Sequence, residues 1–137
     1  MPNAARPAVL RLCAAAESDD LDELCARAGV QLLVLFGSAR SVDSYPDDVD
    51  LAVRFERDAS HDVLGLLDHL YRLTGYEDFD VLDLGRAGPL ARERALVGAR
   101  VLHEANPGRF ANEQIAAIME RIDTDEMRRA ELALMAR

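Results

Sequence analysis

The stretch Val30-Gln31-Leu32-Leu33-Val34-Leu35-Phe36-Gly37-Ser38 decides how the rest of the chain is read. Its first seven residues are nearly all apolar and rich in branched side chains, and Gly37-Ser38 ends the run abruptly. That pattern describes a strand buried on both faces, and hence central in its sheet. The next apolar run, Asp48-Val49-Asp50-Leu51-Ala52-Val53-Arg54-Phe55, alternates instead. Asp48, Asp50, Ala52 and Arg54 share one face of a strand; Val49, Leu51, Val53 and Phe55 share the other. Between the two runs, residues 39–47 are polar and contain Pro46, so they read as a loop with one helical turn at its start.

Outward from this pair, helices and strands alternate. Residues 7–16 form a helix with Pro7 in its first turn. Ser18 is the expected cap of a second helix, from about Asp19 to Ala28, which Gly29 stops. Downstream, Ser60 is the expected cap of a helix through Leu73, closed by Gly75, and residues 77–84 make a third strand. Gly88-Pro89 opens a helix to about Val97, and Arg100 to Glu104 is a short strand. A helix over Phe110 to Ile122 is followed by a separate one from Asp123, where Asp123 and Glu126 have capping-box spacing. The apolar residues Ile115, Ile118, Met119, Ile122, Met127, Leu134 and Met135 are expected to pack into the core rather than to face a partner. With no repeat and no linker, residues 1–137 read as a single α/β (α+β) domain: a small mixed β-sheet packed against helices, with a helical C-terminus.

The chain has 137 residues, half of them hydrophobic, which suits a buried core. Sixteen Lys+Arg against 25 Asp+Glu leave a net charge of −9. Gripping nucleic acid by a broad basic surface needs clustered cations, so no direct nucleic-acid contact is expected. A nucleotide substrate remains compatible, because a bound divalent metal reverses the local sign. No apolar run approaches a membrane span, and the N-terminus lacks a signal-type stretch. Cys13 and Cys25 have no metal or redox spacing and read as reduced packing residues; a cytoplasmic address is the expectation.

The acids that matter are few. The i, i+2 spacing puts the Asp48 and Asp50 carboxylates on one face, about 7 Å apart, while Val49 and Leu51 anchor the backbone. Asp80 lies in the next apolar strand; if that strand pairs beside the first, its carboxylate comes within roughly 5 Å of one of the pair. Asp83 has the opposite parity and should point away. Two like charges at ~5 Å cost about 3 kcal/mol at an effective dielectric near 20, so such a cluster protonates or binds cations. Oxygen-only ligands suit Mg²⁺ or Mn²⁺. Otherwise Asp48 opens a turn, Asp50 sits on an exposed edge, and Asp80 never comes near. Gly37-Ser38 tilts the balance, because amides that follow a strand into a helical turn form an anion site that a serine hydroxyl can extend.

At these residues the chain resembles a known family. Leu35-Phe36-Gly37-Ser38-Ala39-Arg40, Asp48-Val49-Asp50-Leu51-Ala52-Val53 and Phe79-Asp80-Val81-Leu82-Asp83-Leu84 look like the minimal nucleotidyltransferases (MNT) of the polymerase-β superfamily. The stretch from Pro89 to Glu104 is similar to the corresponding stretch in the antitoxins of HEPN/MNT toxin–antitoxin pairs. The likeness runs from about Val30 to Glu104. It implies a polymerase-β-like nucleotidyltransferase fold and transfer of AMP from ATP. Gly37, Ser38 and Arg40 would hold the nucleotide, and Asp48, Asp50 and Asp80 would bind two Mg²⁺ and carry catalysis. The implied acceptor is a tyrosine of a cognate HEPN ribonuclease toxin, silenced by the modification. Asp47 stands where the family commonly has serine.

Two other functions compete: a binding module that neutralises the toxin by covering it, and a nucleotidyltransferase for a small molecule of the aminoglycoside type. The latter generally adds a second domain, and only about 30 residues remain after Glu104. His61, His69 and His103 have no zinc spacing with cysteine and read as surface or packing residues. Ser38 lacks the elbow of a serine hydrolase. Tyr45 reads as a loop residue over the sheet edge rather than a base-stacking one.

Overall fold

A computed structural model of the chain describes residues 4–40 and 48–136, the side chain of Arg40 excepted. The decisive apolar run becomes β1 (Val30–Phe36), interior to a four-stranded sheet with β2 (Val49–Phe55), β3 (Phe79–Asp83) and β4 (Arg100–Glu104), in the order β3-β2-β1-β4. β1 runs antiparallel to both β2 and β4, whereas β2 and β3 are parallel. A parallel pair needs a crossover, and α3 (Val63–Thr74) supplies it.

Helices cover both faces, which is why β1 is apolar at every position but Gln31. On one face α1 (Ala5–Glu17), α2 (Asp20–Ala28) and α3 bury Leu12, Leu21, Leu66 and Leu70 against Leu33, Leu35, Val49, Leu51 and Val53. On the other, Leu32, Val34 and Ala52 meet Leu84, Ala95, Leu96 and Ala117, the last three from α4 (Pro89–Leu96) and α5 (Arg109–Met135). Alternation along β2 thus assigns Val49, Leu51, Val53 and Phe55 to the first core, and turns Asp50, Ala52 and Arg54 toward the second face. The result is the expected mixed sheet with a helical C-terminus. Among the described residues no helix is long and apolar enough to cross a membrane.

Three local expectations need correction. α2 is preceded by Asp19 in the left-handed region, φ 71°, and Ser18 instead bonds the Ala15 carbonyl and Asp20. α3 is capped by Asp62, whose carboxylate accepts from the Gly65 amide at 2.9 Å, so Ser60 lies outside the helix. The two C-terminal helices are one, α5, of 27 residues. No glycine or proline interrupts it, and Arg121 bonds Asp125 across the expected boundary while Arg128 bonds the same carboxylate from the turn beyond, so side-chain pairs at helical spacing hold the turn together.

The larger surprise in α5 is its outer face. Ala117 is its one fully buried residue among those described; Ile115, Met119, Ile122, Met127, Leu134 and Met135 are exposed, from 44% to 80%, and Ile118 is half-buried. The residues expected in the core therefore face outward. The inner face is largely polar: Gln114 donates to the Leu96 carbonyl, and Arg92 pairs with Glu120 and Arg121 with Glu93. At its start, Glu113 takes both Arg54 of β2, through two bonds of 2.9 Å, and Arg109.

Candidate active site

Three strand ends meet at one edge of the sheet. β1 leaves through a 3-10 turn, Gly37–Arg40, whose Ala39 is buried and pins Gly37 and Ser38 at the surface. β2 enters beside it, with Phe36 opposite Asp50, and β3 starts alongside β2, with Asp80 directly opposite Asp50. Neighbouring strands are about 4.8 Å apart, so the two carboxylates on one face are adjacent. Asp48 lies one residue before β2 and is exposed, as is Asp80, while Asp50 is half-buried.

Electrostatics agree with this placement. The Asp50 carboxyl titrates above the usual carboxylate range, chiefly because burial disfavours its charge and then because Asp80 and Asp48 repel it. Gly37 is fitted to the same group. Its φ is +69°, and a Cβ there would stand 2.6 Å from Asp50 Oδ2, so glycine alone leaves that oxygen its place. None of Asp48, Asp50 and Asp80 forms an ion pair with another described residue, and among those residues no three His, Cys, Asp or Glu side chains stand as a ready cage for a metal. What the edge does offer is an oxygen-only donor set that no cation among the described residues pairs with, the chemistry that suits Mg²⁺ or Mn²⁺ rather than zinc.

The remaining site candidates divide. The Arg40 side chain, Tyr45 and Asp47 lie outside the described residues. Asp83 points away, as its parity requires: it is buried, with Oδ2 2.6 Å from His61 Nδ1 and Oδ1 accepting from the Gly85 amide. His103 Nδ1 lies 2.6 Å from Asp22 Oδ1, so both of these histidines serve structural contacts. Cys13 and Cys25 are buried and unpaired with each other, and burial pushes the Cys25 thiol up to about 12.

Sequence reading missed Tyr76. It precedes β3, is 8% exposed, and stacks edge-on against Phe79 with ring centroids 4.9 Å apart. Burial raises its pKa, and so do the charges of Asp78, Asp48, Asp80 and Asp50, in that order. Only its position beside the Phe79-Asp80 strand could have flagged it.

No family model matches the chain, and no curated protein does. Solved structures do. A toxin–antitoxin structure with AMP-PNP superposes with a TM-score of 0.65 at 18% identity, covering 87% of this chain and 98% of that one. The toxin–antitoxin MntA-HepT gives 0.60 at 17% identity, covering 87% and 96%. A tri-AMPylated Shewanella oneidensis HEPN toxin in complex with MNT antitoxin gives 0.60 at 18% identity, covering 87% and 95%. The chain therefore shares its fold, a four-stranded mixed sheet with a long C-terminal helix, with these structures. Its structural likeness is to the MNT antitoxin of HEPN/MNT pairs, over most of both chains.

Proposed function

We propose that this chain is an antitoxin of the HEPN/MNT kind that transfers AMP from ATP to a tyrosine hydroxyl of a partner HEPN toxin. The observation that carries the reading is the meeting of Asp50 and Asp80 in register, with Asp48 beside them and Gly37 shaped around the Asp50 carboxylate. The AMP-PNP found with one structural relative and the AMP carried by the toxin of another agree with it.

Each residue has a definable task. The backbone amides and hydroxyl of Gly37-Ser38, at the start of the turn after β1, receive phosphate oxygens of the nucleotide. Asp48, Asp50 and Asp80 would hold two Mg²⁺, or Mn²⁺, which supply positive charge against the triphosphate and lower the pKa of the attacking hydroxyl. Asp80, the most open of the strand carboxylates, accepts the proton as that oxygen attacks the α-phosphorus. The new phosphodiester forms as the bond to pyrophosphate breaks, and Gly37-Ser38 hold the leaving group's negative charge. Arg40 is proposed as a further phosphate contact.

Labelled ATP, a divalent cation and the protein encoded by the adjacent gene test the reading together. Label should move onto a tyrosine of that protein with the wild type and not with Asp48→Ala/Asp50→Ala; equal transfer by both, or none by either, refutes it.

One observation favours a second reading, in which binding alone neutralises the partner. The outward apolar face of α5 is a surface of the kind that a partner protein covers. If a variant lacking all three aspartates protects cells as fully as the wild type, binding is sufficient.

A further inference from the structure

At the end of β2 away from the three aspartates lies a cleft of about 460 Å³, within the range of small-molecule sites. It is walled by Arg54 near the end of β2, Arg57 just beyond it, His61, Arg109 at the start of α5, and Gln31 of β1. The exposed Glu56 is the one carboxylate among its lining residues. Arg54, Arg57, Arg86 and Arg109 outnumber Glu56, Asp83 and Glu113 in and around it, in a chain whose net charge is −9.

The donors of this cleft are only partly used. Glu113 accepts from Arg54 through Nε and Nη2 and also pairs with Arg109 Nη2 at 2.8 Å, so two guanidiniums share one negative charge. Arg54 Nη1 bonds no described residue. A Cβ on Gly85 would stand 3.3 Å from that nitrogen and 3.2 Å from His61 Cε1, so glycine keeps this wall clear. Arg109 Nε is shut from solvent without a bonding partner, and a buried donor of that kind is costly. Arg57 is exposed and forms no ion pair among the described residues. His61 gives Nδ1 to Asp83 and leaves Nε2 unbonded. The backbone contributes as well. The β1–β2 register shifts between Val30 and Leu32, which makes Gln31 the extra residue of a β-bulge, a device that re-aims a side chain.

We propose that this cleft is a second ligand site, which binds a small phosphate monoester separately from the acidic edge. Arg57, Arg109 and the free edge of Arg54 hold the phosphate, since the guanidinium fork matches its oxygens. As the Arg109 side chain turns toward the ligand, Nε gains the acceptor it lacks. With Nδ1 donating to the Asp83 carboxylate, Nε2 of a neutral His61 ring is an acceptor, which suits a hydroxyl of the ester's organic part. The Gln31 amide serves the same part of the ligand. No step of the transfer chemistry passes through these residues, so the site stands whether or not the chain transfers AMP.

The test titrates the full chain with inorganic phosphate and with AMP in EDTA, where Asp48, Asp50 and Asp80 carry no metal and repel an anion. Amide resonances of Gln31, Arg57 and Gly85 should shift on titration, and AMP should bind more tightly than phosphate. Arg57→Glu touches an exposed, unpaired side chain, so its melting temperature should match the wild type. Its affinity for both probes should fall roughly tenfold or more, the loss of one charge-assisted hydrogen bond. Arg109→Gln should weaken binding too, whereas Asp48→Asn/Asp50→Asn should leave it unchanged. Shifts confined to the Gly37-Ser38 turn, or equal binding by Arg57→Glu and the wild type, overturn the proposal. AMP binding no tighter than phosphate overturns the assignment to an ester.

Discussion

β2 and β3 carry charge at both ends, and the two ends treat it in opposite ways. At the far end Arg54 is clasped by Glu113 through two bonds, and Asp83 is buried with His61 against it and Arg86 3.7 Å away. At the near end Asp48, Asp50 and Asp80 crowd together with no cation among the described residues to offset them. Compensated charge fixes structure: Arg54 and Glu113 dock α5 on the sheet. Uncompensated charge at a strand mouth stores a demand for a ligand, and stability is given up to keep it.

If that contrast is right, damage to the two ends should have different consequences. The largest expected effect is at the near end, where Asp48→Asn/Asp50→Asn lowers the rate of AMP transfer on the order of a thousandfold or more, with the fold intact by circular dichroism. Gly37→Ala comes next. Its methyl group pushes the Asp50 carboxylate aside, and transfer should fall roughly a hundredfold, by the scale of an ångström's misplacement. The left-handed backbone at Gly37 adds about 1–2 kcal/mol of destabilisation, measurable by denaturant unfolding.

Glu113→Ala is the counterpart at the far end. It strips the partner from Arg54 and Arg109 and should cost about 1–3 kcal/mol of stability, while kcat for AMP transfer stays near the wild type. A loss of activity with unchanged stability would erase the distinction between the ends.

The smallest effect is the most diagnostic. A carboxyl whose folded pKa is raised penalises the folded state above that pKa, and the penalty is relieved as pH falls through it. Asp50→Asn should therefore raise the melting temperature by a few degrees at neutral pH, and the gain should vanish in acid. Divalent cation should stabilise the wild type and leave Asp48→Asn/Asp50→Asn unmoved.

The near end was legible in the sequence because strand chemistry is periodic. Alternation in Asp48–Phe55 set the face of Asp50, the apolar run Val30–Phe36 set the centre of the sheet, and Gly37-Ser38 marked its mouth. Register between β2 and β3 was not legible, since no local signal says that Asp80 rather than Asp78 stands opposite Asp50. Tyr76 escaped because a lone aromatic before a strand carries no chemical signature; only the fold shows it packed on Phe79. α5 misled for a physical reason. Ile115, Met119 and Ile122 have helical spacing whether they face a core or a partner, and periodicity alone does not say which side the domain occupies.

Diffraction from crystals grown with Mn²⁺ and a non-hydrolysable ATP analogue, recorded at the manganese edge, tests the central claim most directly. Anomalous peaks should fall among the carboxylate oxygens of Asp48, Asp50 and Asp80, with the triphosphate running toward Gly37 and Ser38. Peaks elsewhere, with those three side chains apart and the phosphates unattached to the turn, would contradict it.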